Sequence, residues 1–259
     1  MPEGHVIHRA AMKHHKAFSS KKLSVSSPQG RFSKGAKLLN KKTCLKVTAY
    51  GKHLFYTFEN GYHLHIHLGL FGKIRSHKAP PKDPQGQVRV RLFDTSTVVD
   101  INGPTICELQ DPTDFNKTIN KIGPDLLRKD ADPQIFVERV KKSKRSIGAL
   151  LMDQSIIAGI GNIFRAEILW RNRINPDKKG SDLTREDLLN LWKDGQHLLG
   201  KALRSGKIIT NDAAAFRKKS EHLNIYKKNQ CPRCSTQIQS FEIANRTCYF
   251  CETCQTTDC

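Results

Sequence analysis

The chain has 259 residues, enough for two compact domains or for one domain with an appendage. Lys and Arg outnumber Asp and Glu by 44 to 24, a formal excess of +20 that self-repulsion makes costly unless a polyanion offsets it. Nucleic acid is therefore the expected partner, held less tightly as salt rises, while a membrane protein is excluded because no apolar run reaches spanning length.

Residues 2 to about 16 predict a helix. Pro2 suits the first helical position and Glu3 the first turn, while Val6, Ile7, Ala10 and Ala11 fall on one face. His5, His8, His14 and His15 have no cysteine or carboxylate beside them and are expected to be solvated. From Leu23 to about Asn102 the period becomes two. Leu45, Val47 and Ala49 alternate, then Tyr62, Leu64, Ile66 and Leu68, with His63, His65 and His67 on the opposite face. Asn60-Gly61 predicts a hairpin turn, and Val88, Val90 and Leu92 alternate with Arg89 and Arg91. This half reads as a β-sandwich or barrel. Pro80 to Gly86 reads as a surface loop.

The period changes again near Lys121–Asp125, where a domain boundary is expected. The expected division is a sheet domain over 1–120, a linker over 121–132, a helical domain over 133–225 and an appendage over 226–259. Asp132-Pro133 predicts the start of a helix carrying Ile135, Phe136 and Val140. A short helix over Ile147–Met152, a Gly159-Ile160-Gly161-Asn162 turn and a helix over Ile163–Trp170 follow. Thr184–Leu203 predicts an amphipathic helix closed by Gly206. The fold class is thus α+β, sheet first and helices second.

Eight cysteines are present. Cys231-Pro-Arg-Cys234 and Cys251-Glu-Thr-Cys254 form two C-x2-C pairs, a spacing that suits one zinc ion in a two-stranded ribbon. Four thiolates leave no open coordination position, so this Zn2+ is expected to be structural. Cys248 and Cys259 fall outside the spacing and are expected not to be ligands. Arg246, between the pairs, is well placed to bridge phosphates.

Met1-Pro2-Glu3 carries chemistry only if Met1 is removed. Pro2 then becomes a free secondary amine, and an α-amino group, with a pKa of roughly 7.7–8, is in part an unprotonated nucleophile at neutral pH. Such an amine can attack a sugar C1′.

Four separated segments then agree in order and spacing: Met-Pro-Glu-Gly at the start, Tyr50-Gly51-Lys52 before a strand, Gly159-Ile-Gly-Asn-Ile163 with Glu167 after it, and the ribbon ending Cys254-Gln255. Over essentially its full length the chain resembles the formamidopyrimidine-DNA glycosylase and endonuclease VIII family. Arg165-Ala-Glu-Ile-Leu-Trp170 and Gly51-Lys52 place it nearer the endonuclease VIII branch. The resemblance implies an N-terminal β-sandwich with its helix, a helix–two-turn–helix domain and a four-cysteine zinc ribbon. It further implies a bifunctional DNA glycosylase and abasic-site lyase acting on duplex DNA, as a monomer in the bacterial cytoplasm and nucleoid. Pro2 resembles the Schiff-base nucleophile, Glu3 the general acid and Lys52 the lysine used in catalysis and phosphate contact. Asn162 and Arg246 match the pair gripping phosphates beside the lesion. Lys121 stands where a basic linker residue contacts DNA, and Leu70 matches an apolar wedge that fills the gap left by a flipped base. Phe71 reads nearly as well as an ordinary core residue.

Three departures stand out. Val6 replaces a usual second carboxylate, whose role His5 is a candidate to cover. Ile101-Asn102-Gly103-Pro104 replaces an Arg and a Phe of the purine-directed branch, so the insertion into the opposite strand that those residues make is not expected; the expected substrates are oxidised bases, pyrimidines over 8-oxoguanine. Cys248 stands where Ser, Thr or Ala is usual. Two other readings remain: a non-catalytic DNA-binding zinc protein of the same fold, and a glycosylase for bulky or crosslinked adducts.

Overall fold

The computed structural model describes residues 2–214, 218 and 221–256. Met1, whose removal the nucleophile requires, and Cys259 lie outside the described residues. The chain divides into two compact units, Met1–Pro2 with Val6–Lys121, and Glu3–His5 with Ile122–Cys259.

Helix α1 spans Gly4–Phe18. Ile7, Ala11, His14 and Phe18 recur at helical spacing and are all buried, whereas Val6 is 40% exposed and Ala10 half-buried. The expectation of a solvated His14 is therefore wrong. Its ring lies on the apolar stripe, with Nδ1 2.6 Å from the Tyr56 hydroxyl and Nε2 3.3 Å from Ser76 Oγ. Burial lowers its pKa to about 4, which keeps it neutral. His5 is also buried, its ring edge-on to Phe164.

The strands of this unit are β1 (Lys21–Lys22), β2 (Ser24–Ser26), β3 (Thr43–Tyr50), β4 (His53–Phe58), β5 (His63–His67), β6 (Lys73–Lys78), β7 (Val88–Phe93), β8 (Thr97–Asn102) and β9 (Ile106–Gln110). They form a five-stranded sheet, β1-β3-β4-β5-β9, and a four-stranded sheet, β2-β7-β8-β6. Leu54, Tyr56, Leu64 and Ile66 from the first meet Val90, Leu92, Val99 and Ile101 from the second in one core, which Ile7, Ala11 and Phe18 join. The Asn60-Gly61 hairpin forms as its residue types dictate, with Gly61 at φ +82 and the Phe58 N–H donating to the Tyr62 carbonyl at 2.9 Å.

Two departures from simple alternation have local causes. A register shift between Cys44 and Lys46 turns Leu45 outward to 49% exposure, while Val47 and Ala49 stay buried. His63 and His65, on the face opposite Leu64 and Ile66, are buried as well: helix α3 (Pro112–Lys121) brings Phe115 onto His63, rings stacked at 4.0 Å, and Phe55 stacks on His65 at 4.6 Å. A seven-residue helix, α2 (Ser33–Leu39), also interrupts the stretch read as period two.

The second unit is helical. Helix α4 (Pro133–Lys141) starts as its cap requires, the Asp132 side chain accepting from the Gln134 N–H at 2.8 Å. Phe136, Val137 and Val140 face its core, and Ile135, expected there, is 40% exposed. Helix α5 (Ile147–Leu150), helix α6 (Asn162–Arg171) and helix α7 (Arg185–Ser205) follow. Thr184 and Asp187 cap α7 reciprocally, and Gly206, at φ +72, ends it. Strands β10 (Gln239–Ile243) and β11 (Arg246–Phe250) pair antiparallel as the ribbon. Among the described residues no helix is long and apolar enough to cross a membrane.

Candidate functional site

Pro2 is half-buried, and Glu3 beside it is 2% exposed. The Glu3 carboxylate sits on the first turn of α6, Oε2 accepting the Gly161 N–H at 3.0 Å and Oε1 the Ile163 N–H at 2.9 Å. The unsatisfied N–H groups and dipole of a helix start make a natural anion seat. Two glycines make this seat possible. A Cβ on Gly161 would lie 2.5 Å from the Glu3 carboxyl carbon, and one on Gly4 would lie 2.7 Å from Gly159 Cα. Gly4 in turn donates its N–H to the Gly159 carbonyl at 2.8 Å. The Gly-Ile-Gly-Asn segment is thus a socket for the amino-terminal carboxylate.

Asn162 opens α6, and its Nδ2 donates to the Thr247 carbonyl at 3.0 Å. Arg246 follows a two-residue turn, Ala244 and Asn245, whose φ of 53 and 56 matches a tight hairpin. Fully buried Arg165 joins the two. Its Nη2 donates to Asn162 Oδ1 (2.5 Å) and to the carbonyls of Thr247 (3.2 Å) and Arg246 (3.4 Å), and its Nη1 to those of Ile243 (3.3 Å) and Gly148 (3.4 Å). Burial lowers the guanidinium's pKa, and this set of acceptors offsets part of the cost of burying the charge. Glu167, two residues on, performs the matching task on the opposite side of the helix. Its carboxylate accepts from Thr210 Oγ1, Asn224 N and Nδ2, Ile225 N and Tyr226 N, at 2.5–2.9 Å. In the sequence both residues stand out only as family markers. An arginine between Phe164 and Ala166 gives no sign from its neighbours that it is internal.

Glu3, Asn162 and the Arg246 backbone thus gather at one end of α6. Lys52, Leu70 and Lys121 belong to the sheet unit. Lys52 follows Gly51 in the turn between β3 and β4 and is only 8% exposed. Leu70 is 44% exposed and Phe71 85%, so Phe71 is not a core residue. Lys121 ends α3 in an exposed position.

The thiols of Cys231, Cys234, Cys251 and Cys254 all lie within 4.8 Å of one another. The separations include 3.4 Å for Cys234–Cys251, 3.5 Å for Cys234–Cys254 and 3.8 Å for Cys231–Cys254. Sulfurs about 2.3 Å from a tetrahedral zinc stand roughly 3.8 Å apart, so these residues fit the ion. The Trp170 indole N–H donates to Cys231 Sγ at 3.3 Å, an outer contact that orients the ligand. Cys248 is buried outside this group.

Residues 1–115 match the formamidopyrimidine-DNA glycosylase N-terminal domain, and residues 122–214 the formamidopyrimidine-DNA glycosylase H2TH domain. The chain is 37% identical to Endonuclease 8 1 of Mycobacterium tuberculosis (strain ATCC 25618 / H37Rv), over 99% of this chain and 100% of that protein. It is 26% identical to the formamidopyrimidine-DNA glycosylase of Vibrio atlanticus (strain LGP32), over 98% of each. Among solved structures, Lactococcus lactis Fpg in complex with Fapy-dG-containing DNA superposes with a TM-score of 0.83 at 25% identity, over 98% of this chain and 99% of that one. The LlFpg protein in complex with THF-DNA and an inhibitor gives 0.84 at 26% identity, over 99% and 100%.

Proposed function

The chain belongs to the formamidopyrimidine-DNA glycosylase and endonuclease 8 family of base excision repair, and from that premise we propose that it removes oxidised bases, pyrimidines in preference to 8-oxoguanine, from duplex DNA through the amine of Pro2. The observation that carries this reading is the seat of Glu3. A carboxylate with both oxygens engaged at a helix start is held still beside the amine that must lose a proton before it can attack.

The damaged nucleotide leaves the stack at a cost of a few kcal/mol, smallest for a damaged base. The Pro2 nitrogen lone pair bonds to C1′, the bond from C1′ to the base breaks, and the base departs with the electron pair. Glu3, having taken the amine's proton, delivers one to the sugar ring oxygen, and the ring opens to an iminium ion. That cation acidifies C2′. Loss of a C2′ proton expels the 3′ phosphate, a second elimination expels the 5′ phosphate, and water releases Pro2.

Lys52 serves catalysis and phosphate contact. Asn162 and Arg246 grip the flanking phosphates, with Arg165 holding both in place, and Lys121 adds a backbone contact. Leu70 and the more exposed Phe71 fill the space that the flipped nucleotide vacates. Cys231, Cys234, Cys251 and Cys254 hold one zinc ion, whose contribution is to fold the ribbon that carries Arg246. The chain acts as a monomer.

A panel of duplex oligonucleotides, each with one defined lesion, tests the reading under single-turnover conditions. Duplexes with oxidised pyrimidines should be processed fastest, with cleavage on both sides of the abasic sugar. Equal, background-level processing of every lesion would overturn it.

A further inference from the structure

A chain of polar side chains ends at His53, the first residue of β4 and the one that follows Lys52. His65 Nδ1 lies 2.9 Å from Glu108 Oε1, and His53 Nδ1 lies 2.8 Å from His65 Nε2. An ionised carboxylate only accepts, so His65 carries its proton on Nδ1 and offers Nε2 as an acceptor. His53 must then donate from Nδ1, which leaves the lone pair on its own Nε2. Gln110 fixes the far end. Its amide nitrogen is 2.8 Å from both Glu108 Oε1 and Thr118 Oγ1, and with both protons so used its 3.2 Å approach to His65 Nδ1 carries no bond.

The network crosses β4, β5, β9 and α3 and is walled by aromatic rings. Phe55 stacks on His65 at 4.6 Å, and Phe115 stands edge-on to Phe55 at 5.1 Å. His53 follows Lys52 in the chain and pairs across the sheet with His67, their rings 4.8 Å apart. Burial lowers the pKa of all three imidazoles, that of His53 to about 3, and the charge of Lys52 pushes His53 and His67 the same way. All three are therefore neutral, two of them within the field of the Lys52 ammonium, on a residue that is itself only 8% exposed. Such an ammonium favours fixed acceptors and is repelled by a cationic ring.

We propose that Glu108, His65 and His53 form an ordered relay that presents His53 Nε2 as a neutral acceptor at the Gly51–Lys52 turn and so positions the Lys52 ammonium. The relay deepens the glycosylase reading and rests on it for the role of Lys52. None of its three members needs to touch DNA; they act as positioning residues.

The test compares wild type with Glu108→Leu, which removes the acceptor, and with Glu108→Gln, which keeps a carbonyl for His65. Long-range proton–nitrogen NMR of the imidazoles should show Nδ1–H tautomers for His53 and His65 in wild type and in Glu108→Gln. In Glu108→Leu both should change to Nε2–H, and the Lys52 ammonium signal should shift. Single-turnover excision should slow by about 10-fold in Glu108→Leu, the scale seen when a hydrogen-bonding partner that orients a histidine is lost. Affinity for a duplex with an uncleavable abasic analogue should stay within about twofold, marking a loss in the reaction and not in binding. An Nε2–H tautomer for His53 in wild type, or an unmoved Lys52 signal in Glu108→Leu, overturns the relay. So does excision by Glu108→Leu at the wild-type rate, or equal losses in both variants. If wild type excises nothing, the glycosylase reading falls alone, and the two NMR signals still decide the relay.

Discussion

Glu3 accepts the backbone N–H of Ile163 at 2.9 Å, a contact between residues 160 positions apart in the chain. It ties the carboxylate next to the amino terminus to the first turn of α6, the helix that also carries Asn162 and Arg165. The carboxylate proposed as the proton carrier is thereby held at the same end of α6 as the residues proposed to grip phosphates.

Substitution of Glu3 by Gln should separate two activities. The amide has one oxygen to accept from two N–H groups, and it cannot shuttle a proton to the sugar. Base excision should fall by about 100-fold or more, the usual range for a lost general acid. Cleavage at a preformed abasic site should survive, because no base has to leave there. Parallel single-turnover assays on lesion and abasic duplexes measure this; equal loss of both would remove Glu3 from the acid role.

Arg165→Met should remove the guanidinium from five acceptors in one step, of which the Thr247 carbonyl keeps the Asn162 amide as a donor. Leaving buried carbonyls unpaired costs about 1–3 kcal/mol each when they cannot rehydrate, and partial relaxation brings the expected total to about 2–4 kcal/mol. The urea midpoint should fall accordingly. DNA affinity should weaken for damaged and undamaged duplexes alike, as the proposed role of Arg165 in ordering a phosphate grip and not a base contact requires.

One zinc ion per chain is expected, released stoichiometrically when the thiols are titrated with a mercurial in the presence of a colorimetric chelator. Cys234→Ala or Cys251→Ala should abolish the zinc and weaken DNA binding by about 10-fold or more. Cys248→Ser should keep the ion. Zinc retained at one equivalent in Cys251→Ala would refute the ligand set.

Stability should fall as the solution is acidified, and earlier than carboxylate titration alone would bring. His14 (pKa about 4) and His53 (about 3) are depressed by burial, and His63, His65 and His67 are lowered in the same direction. In the unfolded chain each titrates near 6.5. Between 6.5 and 4 the unfolded state binds protons that the folded state refuses, so stability present above about 6.5 is lost on acidification. The limiting slope is about 1.4 kcal/mol per pH unit for each fully buried histidine. Asp94, depressed to about 2, adds its own loss only below about 3.9. Urea midpoints from pH 7 to 5 should decline, and less steeply in His14→Gln, which keeps an acceptor for Tyr56 but cannot be protonated. A flat profile in wild type would contradict the burial argument.

Features governed by a few neighbouring residues were legible in the sequence. The Asn60-Gly61 hairpin, the Asp132-Pro133 helix start, the Thr184 and Gly206 ends of α7 and the two cysteine knuckles each follow from short-range geometry. What depends on distant packing was not. Leu45 faces out because of a register shift, and His63 is covered by Phe115 of α3 and His65 by Phe55, which alternation along one strand cannot report. His14 looked polar, yet it lies on the buried stripe at i+3 from Ala11 and finds a hydroxyl across the core. In the site, the motifs named Glu3, Asn162 and Arg246 as separate segments. The guanidinium of Arg165 and the carboxylate socket at Gly161 explain how they come together, and both require the folded chain.

Every step proposed for the reaction depends on a bond between the Pro2 nitrogen and deoxyribose. Borohydride reduction in the presence of abasic-site duplex, followed by peptide mapping of the adduct by mass spectrometry, tests it most directly. The expected result is a stable cross-link on the peptide that begins at Pro2, with Met1 absent, and a strongly diminished cross-link in Pro2→Gly. No cross-link with wild type, or one mapped to a lysine and undiminished in Pro2→Gly, would contradict it.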